Sequence, residues 1–183
     1  FGQAALSIAA TDKPAEWTLT SGGQKLFVYA FGRERFKPCV KELYTLKGDN
    51  LLRDAPHDHL HHHALMYAIR VNGLNFWEEI SGSGVQKPVE SPAPELGTSA
   101  AGLPQATIRQ TLHWLAPQDA FLPNSPKVAL LVEQRTLVLT VDKAKDEVAL
   151  RWSSQFEVGG KTNTVVLEGA NYFGLGVRFQ QEL

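Results

Sequence analysis

Val148-Ala-Leu-Arg-Trp-Ser-Ser-Gln-Phe-Glu-Val158 decides the fold class. Val148, Leu150, Trp152, Ser154, Phe156 and Val158 fall on one side of an extended chain. Arg151, Ser153, Gln155 and Glu157 fall on the other. This is the period-two pattern of a half-buried strand, and it predicts inward-facing Leu150, Trp152 and Phe156. Just upstream, Leu137, Leu139 and Val141 alternate with Val138 and Thr140, and Asp142 to Glu147 reads as a charged turn. Downstream, Gly159-Gly160-Lys161 is a hairpin signal that predicts Thr162 to Glu168 as the partner strand. Leu26 to Phe31, Val40 to Leu46 and Thr107 to Leu115 are further strand candidates, and Lys47-Gly48-Asp49-Asn50 closes the second. No segment carries a helical stripe over three turns. Strands at about ten-residue spacing predict an all-β sandwich or barrel.

The 183 residues fit one domain, 1–183, with a sizeable core. The chain is 43% hydrophobic and 20% charged, with net charge −1. It has no basic stripe to neutralise phosphates, so no nucleic-acid partner is expected. It has no apolar run of the roughly 20 residues that span a bilayer, so no membrane span is expected. Cys39 is the single cysteine, which excludes an intrachain disulfide and reads as a small buried apolar residue. Residues 81–104 are dense in Gly, Pro, Ser and Ala and read as a long surface loop, a plain insertion or a lid. The apolar start Phe1 to Ala10 reads either as the tail of a secretory signal or as a frayed terminus. Tyr172 to Phe179 reads as a strand with little chain after it, so the expectation is a sandwich truncated at its C-terminal side.

Chemistry concentrates in Asp54-Ala-Pro-His-Asp-His-Leu-His-His-His63, where five of the six histidines fall within seven positions. Imidazole titrates near neutral pH and ligates metals when neutral. If 57–63 is extended, His57, His59, His61 and His63 share a face, and His59 with His61 can ligate one divalent metal. Asp58, Glu78, Glu79 and His113 are eligible by type as a further ligand. A second reading is acid–base work, with Asp54 or Asp58 orienting an imidazole. A third is a polar loop that satisfies backbone groups or is simply solvated. Val71-Asn-Gly-Leu-Asn-Phe-Trp-Glu-Glu79 follows, opening on an Asn-Gly turn signal. Its aromatic, amide and carboxylate side chains suit a carbohydrate, although a tryptophan such as Trp77 more often serves the core.

Leu52 to Met66, then Val71 to Trp77, resembles the bacterial family of PmoA-like ("methane oxygenase PmoA") proteins. Asp58, His59, His61 and His62 match its central motif, as do Asn72, Gly73, Phe76 and Trp77. Tyr172-Phe-Gly-Leu-Gly-Val-Arg178 resembles its later Gly-Leu-x-Arg strand. Leu60, His63, Ala64, Met66 and Asn75 depart from the pattern, where members carry Pro, Arg, Gly, Trp and Asp. The resemblance implies a periplasmic or secreted β-sandwich, akin to the galactose-mutarotase-like supersandwich, acting on a small-molecule carbohydrate. It also implies a second polar motif beyond this chain, so that these residues form half a site. The particulate methane monooxygenase subunit of that name spans a membrane, which this chain has no segment to do. Together these readings predict His59, His61 and His62 as acid–base groups oriented by Asp58. They predict Asp54, Asn72, Trp77, Glu78 and Arg178 as ligand contacts. The alternatives are a metal-dependent oxygenase or hydrolase using His59 and His61, and a non-catalytic sugar-binding module.

Overall fold

The computed structural model describes the backbone of residues 6–10 and residues 15–121 and 128–181 in full. Its strands are β1 (Leu6–Ala10), β2 (Glu16–Ser21), β3 (Gln24–Ala30), β4 (Cys39–Leu43), β5 (Leu65–Ala68), β6 (Arg70–Val71) and β7 (Leu74–Asn75). Then follow β8 (Val85–Pro88), β9 (Glu95–Thr98), β10 (Pro104–Leu115), β11 (Leu131–Asp142), β12 (Glu147–Val158), β13 (Leu167–Glu168) and β14 (Gly174–Val177). The helix α1 (Pro117–Phe121) has five residues. None of the described helices is long and apolar enough to cross a membrane.

Two antiparallel sheets face one another as an all-β sandwich. One has the order β1-β2-β3-β4-β5-β14, and the other runs β12-β11-β10-β8 with β9 also on β10. A small third sheet, β13-β6-β7, lies beside them. Leu26, Phe27, Tyr29 and Val40 from the first sheet pack on Ile108, Leu137, Leu139 and Val141 from the second. A second cluster joins Met66, Ala68, Phe76 and Trp77 to Leu112, Trp114 and Leu131. Each fully buried side chain of this size contributes about 1.5–3 kcal/mol, so these facing layers hold the sheets together.

β12 has the expected alternation, with Leu150 and Trp152 packed on the first cluster and Phe156 on the second. Because β12 is an edge strand, these side chains are half-buried, and Val158 at its end is exposed. Gly159-Gly160 does not form the expected hairpin. Of the 162–168 stretch, Leu167–Glu168 is strand, and it pairs with β6 instead of β12. Gly159 abuts the Ala129 carbonyl so closely that a side chain there would collide with it. That close approach, not a turn, is why the position is glycine. The expected loop 81–104 supplies β8 and β9, which add to β10, so it is built into the sheet. Of the apolar start, residues 1–5 lie outside the described residues, and β1 pairs with β2.

Two pairings position the site. β14 runs antiparallel to β5, Gly174 opposite Ala68 through Val177 opposite Leu65. Past it, Arg178 donates its N–H to the Ala64 carbonyl at 2.7 Å, and its own carbonyl accepts from Arg53 N–H at 3.0 Å. The loop between Asp54 and Ala64 is thereby pinned at both ends against the chain that carries Arg178.

Candidate functional site

Residues 57–63 are not extended. His59 N–H donates to the Pro56 carbonyl, and His62 N–H to the His59 carbonyl, so the stretch folds as successive turns. Ala55 N–H closes the loop on the His62 carbonyl, with Ala55 at φ 43°. The shared strand face expected for His57, His59, His61 and His63 therefore does not exist. The turns sort the histidines into an inner and an outer set.

His63 is the inner one. Its ring is held at both nitrogens, by Asp54 Oδ1 at Nδ1 (2.8 Å) and by Glu79 Oε1 at Nε2 (3.0 Å). Glu79 Oε1 also accepts from Lys37 Nζ at 2.9 Å, and that ammonium donates to the Trp77 carbonyl at 2.7 Å. Lys37 is wholly buried. Burial pulls down the pKa of His63, but its two carboxylate hydrogen bonds outweigh that and raise it above the usual value. Burial alone would raise Glu79; the bond to His63 and the charge of Lys37 instead hold it low. Lys37 is lowered by desolvation. The Cys39 thiol, buried at the start of β4 and 3.8 Å from Arg35 Nη1, is pushed up to about 12 by burial.

The outer set is His59, His61 and His62. His59 and His62 stack at 4.7 Å between centroids, and His61 meets His62 edge-on at 4.4 Å. Asp58 Oδ2 holds His59 Nδ1 at 2.9 Å, which is the oriented imidazole–carboxylate pair that acid–base chemistry uses. Arg178 Nη1 lies 3.1 Å from His62 Nδ1, and its Nη2 lies 3.4 Å from Asp58. A guanidinium is always a donor, so His62 accepts at Nδ1 and, when neutral, carries its proton on Nε2. Desolvation, with His61 and His59 beside it and Arg178 nearby, drives the His62 pKa down to about 4. His61 is lowered too, by desolvation and then by Lys37.

A pocket of about 260 Å³ opens between this loop and β14, lined by His62, His63, Trp77, Tyr172, Gly176 and Arg178 among others. Trp77 is buried, stacks on Phe173 at 5.5 Å and presents an edge contact to His62. It serves the core and the pocket wall together. Tyr172 stands exposed at the rim.

The fold brings Asp58, His59, His61, His62, Trp77 and Arg178 together, and it seats Asp54 behind them against His63. Glu78 is half-buried, and its charge acts on His61. Asn72 is elsewhere: it forms the expected left-handed Asn-Gly turn, and its Oδ1 accepts from Val166 N–H at 2.7 Å. It fixes a turn in the small third sheet. His113 lies on β10 opposite Lys87 and lines a separate pocket. Among the described residues, ligand atoms of three side chains converge in one group, Cys39, Asp54 and His63, and the expected metal pair His59 and His61 is not part of it. Sequence reasoning placed His63 only on the shared histidine face, read Cys39 as a small buried apolar residue, and did not single out Lys37. The available signal was a lone lysine in Phe36-Lys-Pro-Cys-Val40, directly before an apolar strand.

A family model described as "Family of unknown function (DUF6807)" matches residues 16–183. No curated protein and no solved structure matches the chain.

Proposed function

The chain belongs to DUF6807, a family of unknown function, and from its geometry we propose that it binds a small carbohydrate in the pocket between Trp77, Tyr172 and Arg178, with the surrounding imidazoles placed for acid–base work. The observation that carries this reading is the composition of that one pocket. The exposed ring of Tyr172 offers an apolar face for the C–H side of a sugar ring, Trp77 adds apolar wall, and His62, His63 and Arg178 supply polar groups in the same pocket. A volume of about 260 Å³ sits just under the roughly 300 Å³ where pockets for drug-sized ligands begin, so one sugar ring is the matching size. His62 offers its Nε2–H to a hydroxyl or carbonyl oxygen. Arg178 is suited to a carboxylate, which favours a hexuronate over a neutral hexose. The Asp58–His59 pair supplies an oriented base stacked against the pocket-lining His62. The likeness of Asp58 to His62 and of Asn72 to Trp77 to PmoA-like proteins points the same way, toward a periplasmic or secreted carbohydrate protein.

The test is calorimetric titration with glucose, galactose and their uronates, repeated on Trp77→Phe and Arg178→Ala. Binding of at least one sugar, lost on Arg178→Ala, is the expected outcome. A folded protein that takes none of them at millimolar concentration overturns the reading. Binding without any chemical change in the bound sugar would make the chain a sugar-binding module.

A further inference from the structure

We propose that Cys39, Asp54 and His63 form a binding site for a divalent cation of borderline softness, zinc by donor type. The inference stands without the carbohydrate reading and concerns a different part of the loop. A thiol sulfur, a carboxylate oxygen and an imidazole nitrogen lie within 4.8 Å of one another. A tetrahedral ion bound at about 2.0–2.3 Å needs its ligand atoms about 3.3–3.8 Å apart, so small side-chain adjustments that part Asp54 Oδ1 from His63 Nδ1, now at 2.8 Å, shape the site. Sulfur, nitrogen and oxygen donors together suit zinc better than magnesium or calcium, which take oxygen. Three separate segments deliver the donors: the first residue of β4, the loop at Asp54 and the residue two before β5. Convergence of this kind is a product of the fold, not of local sequence.

Two further features match a metal centre. The second His63 nitrogen is held by Glu79 at 3.0 Å, and Glu79 is held by buried Lys37. A metal-bound imidazole nearly always has its other nitrogen held by such an outer carboxylate, which fixes ring orientation and tautomer. Three protein donors also leave a fourth position for water or a ligand, the arrangement of reactive zinc sites. On binding, the metal–nitrogen and metal–sulfur bonds replace the protons on His63 Nδ1 and Cys39 Sγ, and both protons pass to solvent.

Cobalt(II) is the probe, loaded into chelator-treated full chain, with zinc measured in parallel by elemental analysis after dialysis. The expected result is one metal per chain and a thiolate-to-cobalt charge-transfer band. Cys39→Ser, nearly isosteric and so expected to stay folded, should remove the band. Glu79→Gln should weaken affinity by about 10- to 100-fold. His59→Ala/His61→Ala should change neither. The proposal is overturned if wild-type protein retains no metal, if the cobalt spectrum lacks the thiolate band, or if the bound metal is lost on the His59/His61 variant and survives Cys39→Ser.

Discussion

Two charged networks sit inside this sandwich, and they differ in where they end. The first joins β10 and β11 to the opposite sheet. Arg135 spends all five of its donors: on Glu133 twice, on the Pro38 carbonyl, on Gln86 and on the Tyr29 hydroxyl. Glu133 also accepts from Trp114 Nε1 and Ser154 Oγ. Both charges are fully buried, and the guanidinium lies 4.4 Å over the Trp152 ring. The second network, Asp54–His63–Glu79–Lys37, also alternates charge, but Asp54 and Glu79 keep about a fifth of their side-chain surface exposed and His63 lines a pocket. A network sealed inside the core, with every Arg135 donor spent, opens on no cavity and meets no ligand. A network that stops at a cavity can meet one. Burial of charge is thus weak evidence of function by itself, and the open end is what marks the site.

The sharpest way to break this comparison is to cut the sealed network. Glu133→Ala leaves Arg135 buried without a counter-charge, and it should cost about 3–5 kcal/mol in chemical denaturation. Replacing both partners by apolar residues of similar volume, as in Glu133→Leu/Arg135→Met, should recover most of that loss. If the single variant costs no more than an ordinary surface change, the network is not sealed and the contrast fails.

Titration gives a second cut. Burial pushes the Tyr29 hydroxyl up to about 12, against an ordinary value of 10.0. Between those values the unfolded chain releases this proton while the folded chain keeps it. Stability from this group is therefore whole below pH 10 and falls as pH rises from about 10 to about 12. The fall amounts to about 2–3 kcal/mol. Denaturation midpoints for wild type and Tyr29→Phe across that range should converge as pH rises. Parallel curves would mean that solvent reaches the network.

These two networks also mark where the sequence is legible. In β11, Leu137, Leu139 and Val141 set the inward parity, and Arg135 and Glu133 have the same parity. A pattern rule reads a charge as outward, because burial is costly unless paired, and the pairing partners Tyr29, Pro38 and Gln86 lie far away in the chain. β12 was readable because local alternation decides it. The histidine stretch marked a candidate site, but its sorting into inner and outer sets depends on Glu79 and Lys37 meeting His63. No local period encodes that. The 159–161 turn signal failed for a related reason: its first glycine answers to a neighbouring carbonyl rather than to a hairpin.

The pocket end of the comparison is sharpened by Gly176→Ala. A Cβ at Gly176 would stand 2.7 Å from the Trp77 ring, closer than real contacts allow, and Trp77 is held by Phe173. Overpacking here should cost about 1–3 kcal/mol and shrink the pocket. Reduced stability accompanied by weaker sugar binding is the expected pair of results. Unchanged binding would place the ligand elsewhere.

Arg178→Ala should have the smallest effect on stability. Its side chain is about a quarter exposed, and its contacts are Asp58 at 3.4 Å and a neutral His62. Exposed ion pairs of this kind contribute roughly 0–1 kcal/mol, because water screens the charge and the long side chain must be ordered. The backbone of Arg178, which donates to Ala64 and accepts from Arg53, is untouched by the substitution, so β14 should stay in register. Thermal unfolding is therefore expected to move little, while hexuronate binding falls below detection. That split between an intact fold and a lost ligand separates a group held for recognition from one held for packing, since Glu133 should behave in the opposite way. If Arg178→Ala unfolds the chain as Glu133→Ala does, the guanidinium is part of the scaffold, and the open network has no more claim to a ligand than the sealed one.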